Sequence, residues 1–576
     1  EVRLCAENAE DGFQPSPGLL RVLRLPAGPG VRVDSGVCEG IAVASEFDSM
    51  IAKVVATGPT RAIALARLRR ALAELEVAVA DGATNKAFLL RLLDHPAVVD
   101  ATADTTWLDR ATAAGELGRA PYAFEALVVA AVIEDRLRRR ASIARFFAQV
   151  QDGIPQDLPA PQGSRCELRI RGSSHEVSVW MTGHDRFVVA VDGRIWEIGV
   201  EPARSHAAIL HIGGRRHRVL YAEGRAGIAI EVDGAMHIVE RAAGGVVRAP
   251  APAMVVHVAV QEGQTVAPGD RLCTLEAMKM EMPVFASEAG VVRALRCRAN
   301  EQVMAGQPLV ELEPQVDAAA VVADVKADPL VPPAGADGGA LDSLFDGDRP
   351  CVERLVDMDD ATAARTFADI EEAIRSVLLG FDVADLQAAR LERLIGAVAS
   401  SLAAATAADG GEGAAPGPLA RWAGLGGLLA VFVDGESLFD RNLLAVHDAA
   451  AALSAEVAFY GFCRSHHDGA DAAGDSFRPL LERALAGYDI KDLEPTDRLR
   501  EALWRLAAGH AHGGPRHRLC SALLRLLMAL HEQDAGLTAD TSLRGTLQRV
   551  AQVARPEFPA VADNARQATY VLFEQH

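Results

Sequence analysis

Glu276-Ala277-Met278-Lys279-Met280-Glu281 stands between two similar stretches of sequence, and that arrangement decides how the chain is read. Before it, Val255-Val256 leads to Leu272-Cys273-Thr274-Leu275-Glu276. After it, Val291-Val292 leads to Leu309-Val310-Glu311-Leu312-Glu313. Gly269 answers to Gly306 and Val255 to Val291, so residues 247–314 read as an internal repeat. Two similar half-units must bury their apolar faces against each other, which predicts a small, flattened, pseudo-symmetric β-sandwich. The junction of the halves is then a hairpin tip, with Lys279 at the most exposed point of a stiff unit. Most lysines are simply solvated, and Met often only fills gaps. Two methionines flanking a lysine at the centre of a two-fold repeat instead suit a covalent carrier. Its ε-amine has to be reached by a modifying enzyme, and the attached group has to reach distant sites.

Outward from the repeat, four further zones separate by pattern. Residues 1–112 alternate short strands and helices. Segments 30–35 and 47–54 read as strands or strand ends and 13–18 as a loop, while Ile63, Ala64, Leu68, Ala71, Leu72 and Leu75 recur near a 3.6 period and predict a helix over 60–76. Residues 118–245 open on a helix over 124–150, whose basic run Arg136–Arg140 reads as its solvated face, and then change to a period near 2. Val191-Asp192-Gly193, Ile212-Gly213-Gly214 and Val232-Asp233-Gly234 are hairpin signals, giving an antiparallel β-barrel beside a long helix. Residues 315–345 turn to Ala, Asp, Pro and Gly and read as a flexible linker. Residues 346–576 read as an all-α region with loops at 409–418 and 467–475. The fold class is multidomain α+β.

Composition narrows the function. The chain has 576 residues, 50% of them apolar and 24% charged, enough for about four globular domains. A formal charge of −20 argues against nucleic acid or an anionic membrane as the main partner, since both reward basic surfaces. The apolar run 126–133 is far shorter than the roughly 18 residues that span a bilayer. Eight cysteines without a C-x-x-C pair read as reduced cytosolic thiols, and a cytoplasmic location follows. The opening Glu1-Val2-Arg3-Leu4 is strand-like and reads as an internal start. Other constellations carry little. His466-His467-Asp468 sits in a polar loop with its histidines pointing apart, and Gly424-Leu425-Gly426-Gly427 lacks the preceding strand and the Gly-Lys-Ser/Thr of a phosphate loop, so no metal site is expected.

With these residues in view, 247–314 resembles a biotin carboxyl carrier domain, the biotinyl/lipoyl-like fold, and Glu276-Ala277-Met278-Lys279-Met280 matches that family's biotinylation motif. It departs from the family at Met254, where a Gly is usual, and at Asn300-Glu301, which replaces a Gly-containing turn; both bear on turn stability. Residues 1–112 resemble the C-terminal lobe of biotin carboxylase, an ATP-grasp enzyme. The resemblance rests on Ala6-Glu7-Asn8-Ala9-Glu10-Asp11-Gly12-Phe13, Gly30-Val31-Arg32-Val33-Asp34-Ser35, Phe47-Asp48-Ser49-Met50-Ile51-Ala52-Lys53, Thr84-Asn85 and the run from Asp104 to Arg110. Residues 118–245 resemble the linking domain of single-chain acyl-CoA carboxylases. More weakly, 346–576 resembles the central region of large acetyl-CoA carboxylases, through Phe432-Val433-Asp434-Gly435-Glu436-Ser437-Leu438-Phe439 among others.

The resemblance implies a biotin-dependent acyl-CoA carboxylase with biotin covalently attached at Lys279. ATP and bicarbonate carboxylate a ureido nitrogen, and the carrier delivers the carboxyl to a carboxyltransferase acting on an acyl-CoA, with acetyl-CoA and fatty acid biosynthesis the first choice. Arg32 matches the family's arginine beside the ureido ring, where a guanidinium can stabilise developing negative charge. The family's ATP- and Mg-binding residues have no match here, so the chain is expected to be inactive alone. Implied partners are a biotin protein ligase, the N-terminal part of biotin carboxylase and a carboxyltransferase, in an oligomer. Two other readings stay open. One is pyruvate carboxylase or a biotin-dependent decarboxylase, disfavoured because 113–246 is too short for a barrel of about 250 residues. The other is a non-catalytic biotinylated scaffold.

Overall fold

The computed structural model describes residues 1–576 apart from 11, 44–47, 157, 161, 226, 242–244, 251, 268, 278–279, 287–288, 305, 315–329, 331, 334–341, 347–348, 383–384, 410–425, 442–453, 466–476, 534–540 and 575–576. The segment 466–468 and the loop at 467–475 therefore lie outside the described residues.

In the N-terminal lobe two three-stranded antiparallel sheets form. One runs Val2–Cys5, Met50–Ala56, Val31–Ser35; the other runs Ala42–Val43, Gly18–Arg24, Glu76–Ala80. The helix Arg61–Glu74 starts where the Thr60 side chain accepts the Ile63 N–H, and its buried face is Leu68, Ala71 and Leu72. The helix stops two residues short of the sequence expectation. Glu76 opens a fully buried strand paired to 18–24, because its carboxylate is claimed by Arg218 at 3.2 Å, Arg24 at 3.7 Å and Arg204.

Residues 164–241 close an eight-stranded antiparallel barrel in which each strand pairs with its sequence neighbour and Ser164–Ile170 pairs with Ala235–Arg241. Its hairpins at 192–193, 213–214 and 233–234 hold positive φ at both central residues, the turn whose twist matches the flanking strands. The helix Ala123–Asp152 packs on this barrel, and the apolar run 126–133 is buried on every side by protein. The basic run is a solvated face only at Arg138 and Arg140, which are exposed. Arg139 is buried, and Arg136 donates to the Val200 carbonyl at 2.7 Å and lies over the Phe187 ring. Lobe and barrel meet through a buried ion pair, Lys86 Nζ to Glu231 Oε1 at 2.7 Å, with Lys86 also donating to the Leu75 carbonyl.

Residues 246–314 form two four-stranded sheets around one apolar cluster. One runs Val246–Arg248, Pro308–Pro314, Gly290–Leu295, Thr265–Val266; the other runs Met280–Phe285, Arg271–Ala277, Ala253–Val258, Gln302–Val303. The repeat is stricter than the sequence suggested. Met254↔Glu276, Val255↔Leu275 and Val258↔Cys273 recur as Val291↔Glu313, Val292↔Leu312 and Leu295↔Val310, with a bulge at the same place. Every pair keeps the offset of Gly269 and Gly306, so the partner of Val255 is Val292, not Val291; Val255 and Val292 are the buried ones. Asn300 stands at φ 66 where the first half has Gly263 at φ 84, and each donates its N–H at 2.7 Å, to Val255 and Val292 respectively. Asn tolerates this left-handed turn, which explains how the second half dispenses with glycine. Met254 lies in a regular strand, exposed, and needs no glycine.

Beyond it the described residues between Glu353 and Phe573 are mainly helical; some extend the barrel's apolar cluster and the rest gather on a second one. The linker expectation ends too late. Leu344 and Phe345 are buried in that cluster, Phe345–Asp346 pairs with Arg349–Pro350, and Arg390 lies over the Phe345 ring at 4.4 Å; residues 315–329 lie outside the described ones. The helical region docks on barrel and long helix through Asp382, fully buried. It accepts Arg139 at 2.7 and 3.1 Å and the Met181 N–H at 3.2 Å, and Arg505 lies at 3.5 Å. Burial alone would raise its pKa; Arg139 and Arg505 hold it below the carboxylate range.

Two outcomes follow from these buried groups. Asp382→Asn leaves two guanidinium groups undercompensated and is expected to cost about 3–5 kcal/mol in denaturant unfolding; a loss under 1 kcal/mol would contradict the docking. His237 is buried beside the lobe and donates Nε2–H to the Pro121 carbonyl at 2.7 Å, and burial pushes its pKa from 6.5 down to about 4. The unfolded chain protonates this group first, so its share of stability, about 3 kcal/mol, is present above pH 6.5 and lost as pH falls towards 4. His237→Gln should flatten stability against pH across that window, as measured by urea unfolding.

Candidate functional site

The strands Arg271–Ala277 and Met280–Phe285 form the hairpin at the centre of the repeat, with Glu276 opposite Glu281 and Ala277 opposite Met280. Met278 and Lys279, which follow Ala277 in sequence, lie outside the described residues. The strands are held firmly up to that last pair. Leu275 and Ala277 are buried on one and Met282 on the other, while Glu276, Glu281 and Met280 are exposed. The two-fold sets this hairpin end in correspondence with the place where the chain enters and leaves the unit, at Val246–Arg248 and Pro308–Pro314. The described residues thus fit a group held covalently at the tip. Their core fixes the hairpin, and no buried side chain is needed to hold the group.

Arg32 sits on the strand Val31–Ser35 with its side chain 70% exposed. Its Nη2 lies 3.2 Å from Asp34, and Lys53, opposite Asp34 in the ladder, approaches that carboxylate at 3.9 Å. Residues 32, 34 and 53 therefore form one small charged face. Exposed pairs of this kind contribute roughly 0–1 kcal/mol, so the Arg32 guanidinium can exchange Asp34 for an incoming anion at little cost. Asp34 lies two residues from Arg32 on the same strand, so the strand period of 2 sets it on the Arg32 face; Lys53 is on the neighbouring strand and joins them only through the ladder pairing. The described partners of Arg32 do not include the hairpin, whose second strand runs beside Gln14–Pro15 of the lobe.

Other motif residues of the lobe turn out to be structural. Asn85 accepts the Cys5 N–H at 3.0 Å and donates to the Arg3 carbonyl at 3.2 Å, pinning the first strand. Ser49 donates to Glu7 at 2.5 Å. The Arg110 hydrogen bond, with two from Thr106, holds Asp104 well below the usual carboxylate range. Among the described residues there is no cluster of three or more His, Cys, Asp or Glu side chains able to hold a metal, and no helix long and apolar enough to cross a membrane.

Known proteins share these features. Residues 1–110 match the family described as biotin carboxylase C-terminal domain, and residues 237–312 match that described as biotin-requiring enzyme. The chain is 31% identical over 320 residues to the biotin-dependent acyl-coenzyme A carboxylase alpha3 subunit of Mycobacterium leprae, covering 54% of this chain and 43% of that protein. It is 28% identical over 345 residues to the propionyl-CoA carboxylase alpha chain, mitochondrial, of Sus scrofa, covering 54% and 46%. To the acetyl-CoA carboxylase of Saccharomyces cerevisiae it is 25% identical over 307 residues, covering 53% and 14%. The match spans less than half the length of each of these relatives. Residues 1–110 are a biotin carboxylase C-terminal domain and residues 237–312 a biotin/lipoyl domain, whose cofactor is covalently bound biotin, and the chain's homologues are biotin-dependent acyl-CoA carboxylases.

Proposed function

We propose that Lys279 is the attachment site, and that this chain carries carboxyl groups from a biotin carboxylase site to a carboxyltransferase. The observation that carries the reading is the hairpin. Its strands are locked by the two-fold core up to the Ala277–Met280 pair, and Met278 and Lys279 are the two residues that join them in sequence. Bound biotin supplies a ureido nitrogen that accepts and releases a carboxyl group. The amide made at Lys279 removes the ammonium charge, so the arm enters two different sites without carrying a buried charge into either. Glu276, Ala277, Met278 and Met280 present the lysine to a biotin protein ligase.

Arg32 is proposed to hydrogen-bond the anionic oxygens at the carboxylation site, with Asp34 steering its guanidinium. The working division is a lobe over 1–112, a linking unit over 118–245, the carrier over 247–314, a linker over 315–345 and a helical region over 346–576. The ATP- and Mg-handling part and the carboxyltransferase are proposed to lie outside these units, in the same assembly, in the cytoplasm. Acetyl-CoA is the first choice of acceptor, on the likeness to acetyl-CoA carboxylase; propionyl-CoA and other acyl-CoAs are the alternatives, which the assay below distinguishes.

Co-expression with a biotin ligase should add one biotin mass to the intact chain and none to Lys279→Arg. No increment on the wild type, or an increment surviving in the variant, contradicts the assignment. In an assembly completed with ATP-binding and carboxyltransferase parts, Arg32→Ala should slow acyl-CoA carboxylation by roughly 10²–10³-fold with Lys279 still biotinylated. An unchanged rate removes Arg32 from the site, and the relative kcat/KM for acetyl-CoA and propionyl-CoA in the same assay fixes the acceptor.

A further inference from the structure

We propose that the cleft between the long helix, the barrel and the helix Asp497–Ala511 is a binding site for a fatty carboxylate, with its alkyl chain along the long helix and its carboxylate on Arg498 and Arg505. Two cavities adjoin there, of about 520 Å³ and about 280 Å³, and His184, Arg498 and Glu501 stand in the walls of both. The larger has the size usual for a small-molecule site.

The larger cavity is mainly apolar. Its long side is one face of Ala123–Asp152, where Ile133, Leu137, Arg140, Ala144 and Phe147 recur at three- and four-residue spacing over about 21 Å. Met181, Pro202 and Tyr221 line it from the barrel. Ile133, Phe147 and Met181 are buried, Leu137 and Tyr221 are half-buried against the same apolar cluster, and Ala144 is exposed. A space walled in this way holds water poorly and rewards an apolar chain.

The smaller cavity is polar, and two guanidinium groups in its wall have donors to spare. Arg505, 1% exposed, donates from Nε and Nη2 to Glu501 at 3.2 and 2.9 Å, and Arg498 donates from Nη2 to the Tyr488 carbonyl at 2.9 Å. Arg505 Nη1 and Arg498 Nε are buried without a hydrogen-bond partner among the described residues; Asp382 lies 3.5 Å from that Nη1, outside hydrogen-bonding geometry. A buried donor left unmade calls for an acceptor. The carboxylates nearby already have counterions: Glu501 has Arg505, Asp489 has Arg498 at 3.7 Å, and Glu372 has Arg186 and, at 3.9 Å, Arg375. A single carboxylate therefore meets unspent donors without breaking an ion pair, whereas a multiply charged head group finds no surplus of positive charge. Met181 joins the two cavities. It lines the apolar one, and its sulfur lies 2.9 Å from Arg505 Nη2, so the places for chain and head group meet at one residue.

The test is titration calorimetry of the full chain with decanoate below its micelle concentration, with octanoate and decanol beside it. The expected result is one saturable site per chain, with decanoate roughly tenfold tighter than octanoate, as two further buried methylenes require, and decanol weaker than decanoate by about tenfold or more. Ala144→Trp fills the apolar part from an exposed position and should abolish binding while the melting temperature holds. Arg498→Met keeps the stem, removes the donor, and should weaken decanoate roughly tenfold with decanol unchanged. Absence of saturable uptake, uptake unaltered by Ala144→Trp, or equal affinity for decanoate and decanol overturns the proposal. Lys279→Arg should bind decanoate as the wild type does, so this site is read separately from the biotin attachment site.

Discussion

Neither half of the 246–314 repeat can bury its apolar face alone, and this mutual burial is the constraint on which the carrier rests. Each half also lends a short strand to the other's sheet: Gln302–Val303 pairs with the first half and Thr265–Val266 with the second. Interdigitation of this kind makes the two halves one cooperative unit from a short stretch of chain, where a single sheet would leave one face wet. Leu275, Ala277 and Met282 lie in that shared core. Stiffness of the hairpin is therefore inherited from contacts on the far half of the repeat, not from the turn itself.

In sequence the carrier stands between two units, the barrel with its long helix and the helical region, that hold each other. One continuous apolar cluster runs from the barrel and long helix, through Phe187 and Trp196, into Phe381, Phe459 and Leu503 of the helical region. Asp382 sits at this junction with Arg139, Arg505, Asp135 and Glu501 in a single buried network. Buried ion pairs add little net stability over apolar packing, but losing one member strands the others, so they specify a single docked arrangement. On the other side Lys86–Glu231 and the arginines around Glu76 fasten the N-terminal lobe to the barrel. The carrier's sheets, like those of the N-terminal lobe, lie outside both large apolar clusters and around a core of their own.

Much of this was legible in the sequence because it depended on local chemistry. The Asp-Gly and Gly-Gly turns announced the barrel hairpins, and the Met-Lys-Met repeat centre announced the carrier. What escaped depended on partners distant in sequence. Glu76 reads as helix from its own neighbours and becomes strand because three arginines and strand 18–24 claim it. Arg139 reads as surface until Asp382, far along the chain, buries it. The true repeat register was hidden by adjacent valines, since Val291 and Val292 are equivalent by composition and only burial separates them. At the candidate site, Lys279 came from its motif at the repeat centre and Arg32 from the family resemblance, whereas Lys53 joins Arg32 and Asp34 only through the strand ladder.

The chain contains five lysines: Lys53, Lys86, Lys279, Lys326 and Lys491. Lys86 is buried and ion-paired, so a modifying enzyme has few amines to choose from and position can be read without ambiguity. Tandem mass spectrometry of the full chain from biotin-replete cells tests the central claim most directly. The account predicts biotin on Lys279 and on no other lysine; biotin on Lys53, Lys326 or Lys491 with Lys279 unmodified would contradict it.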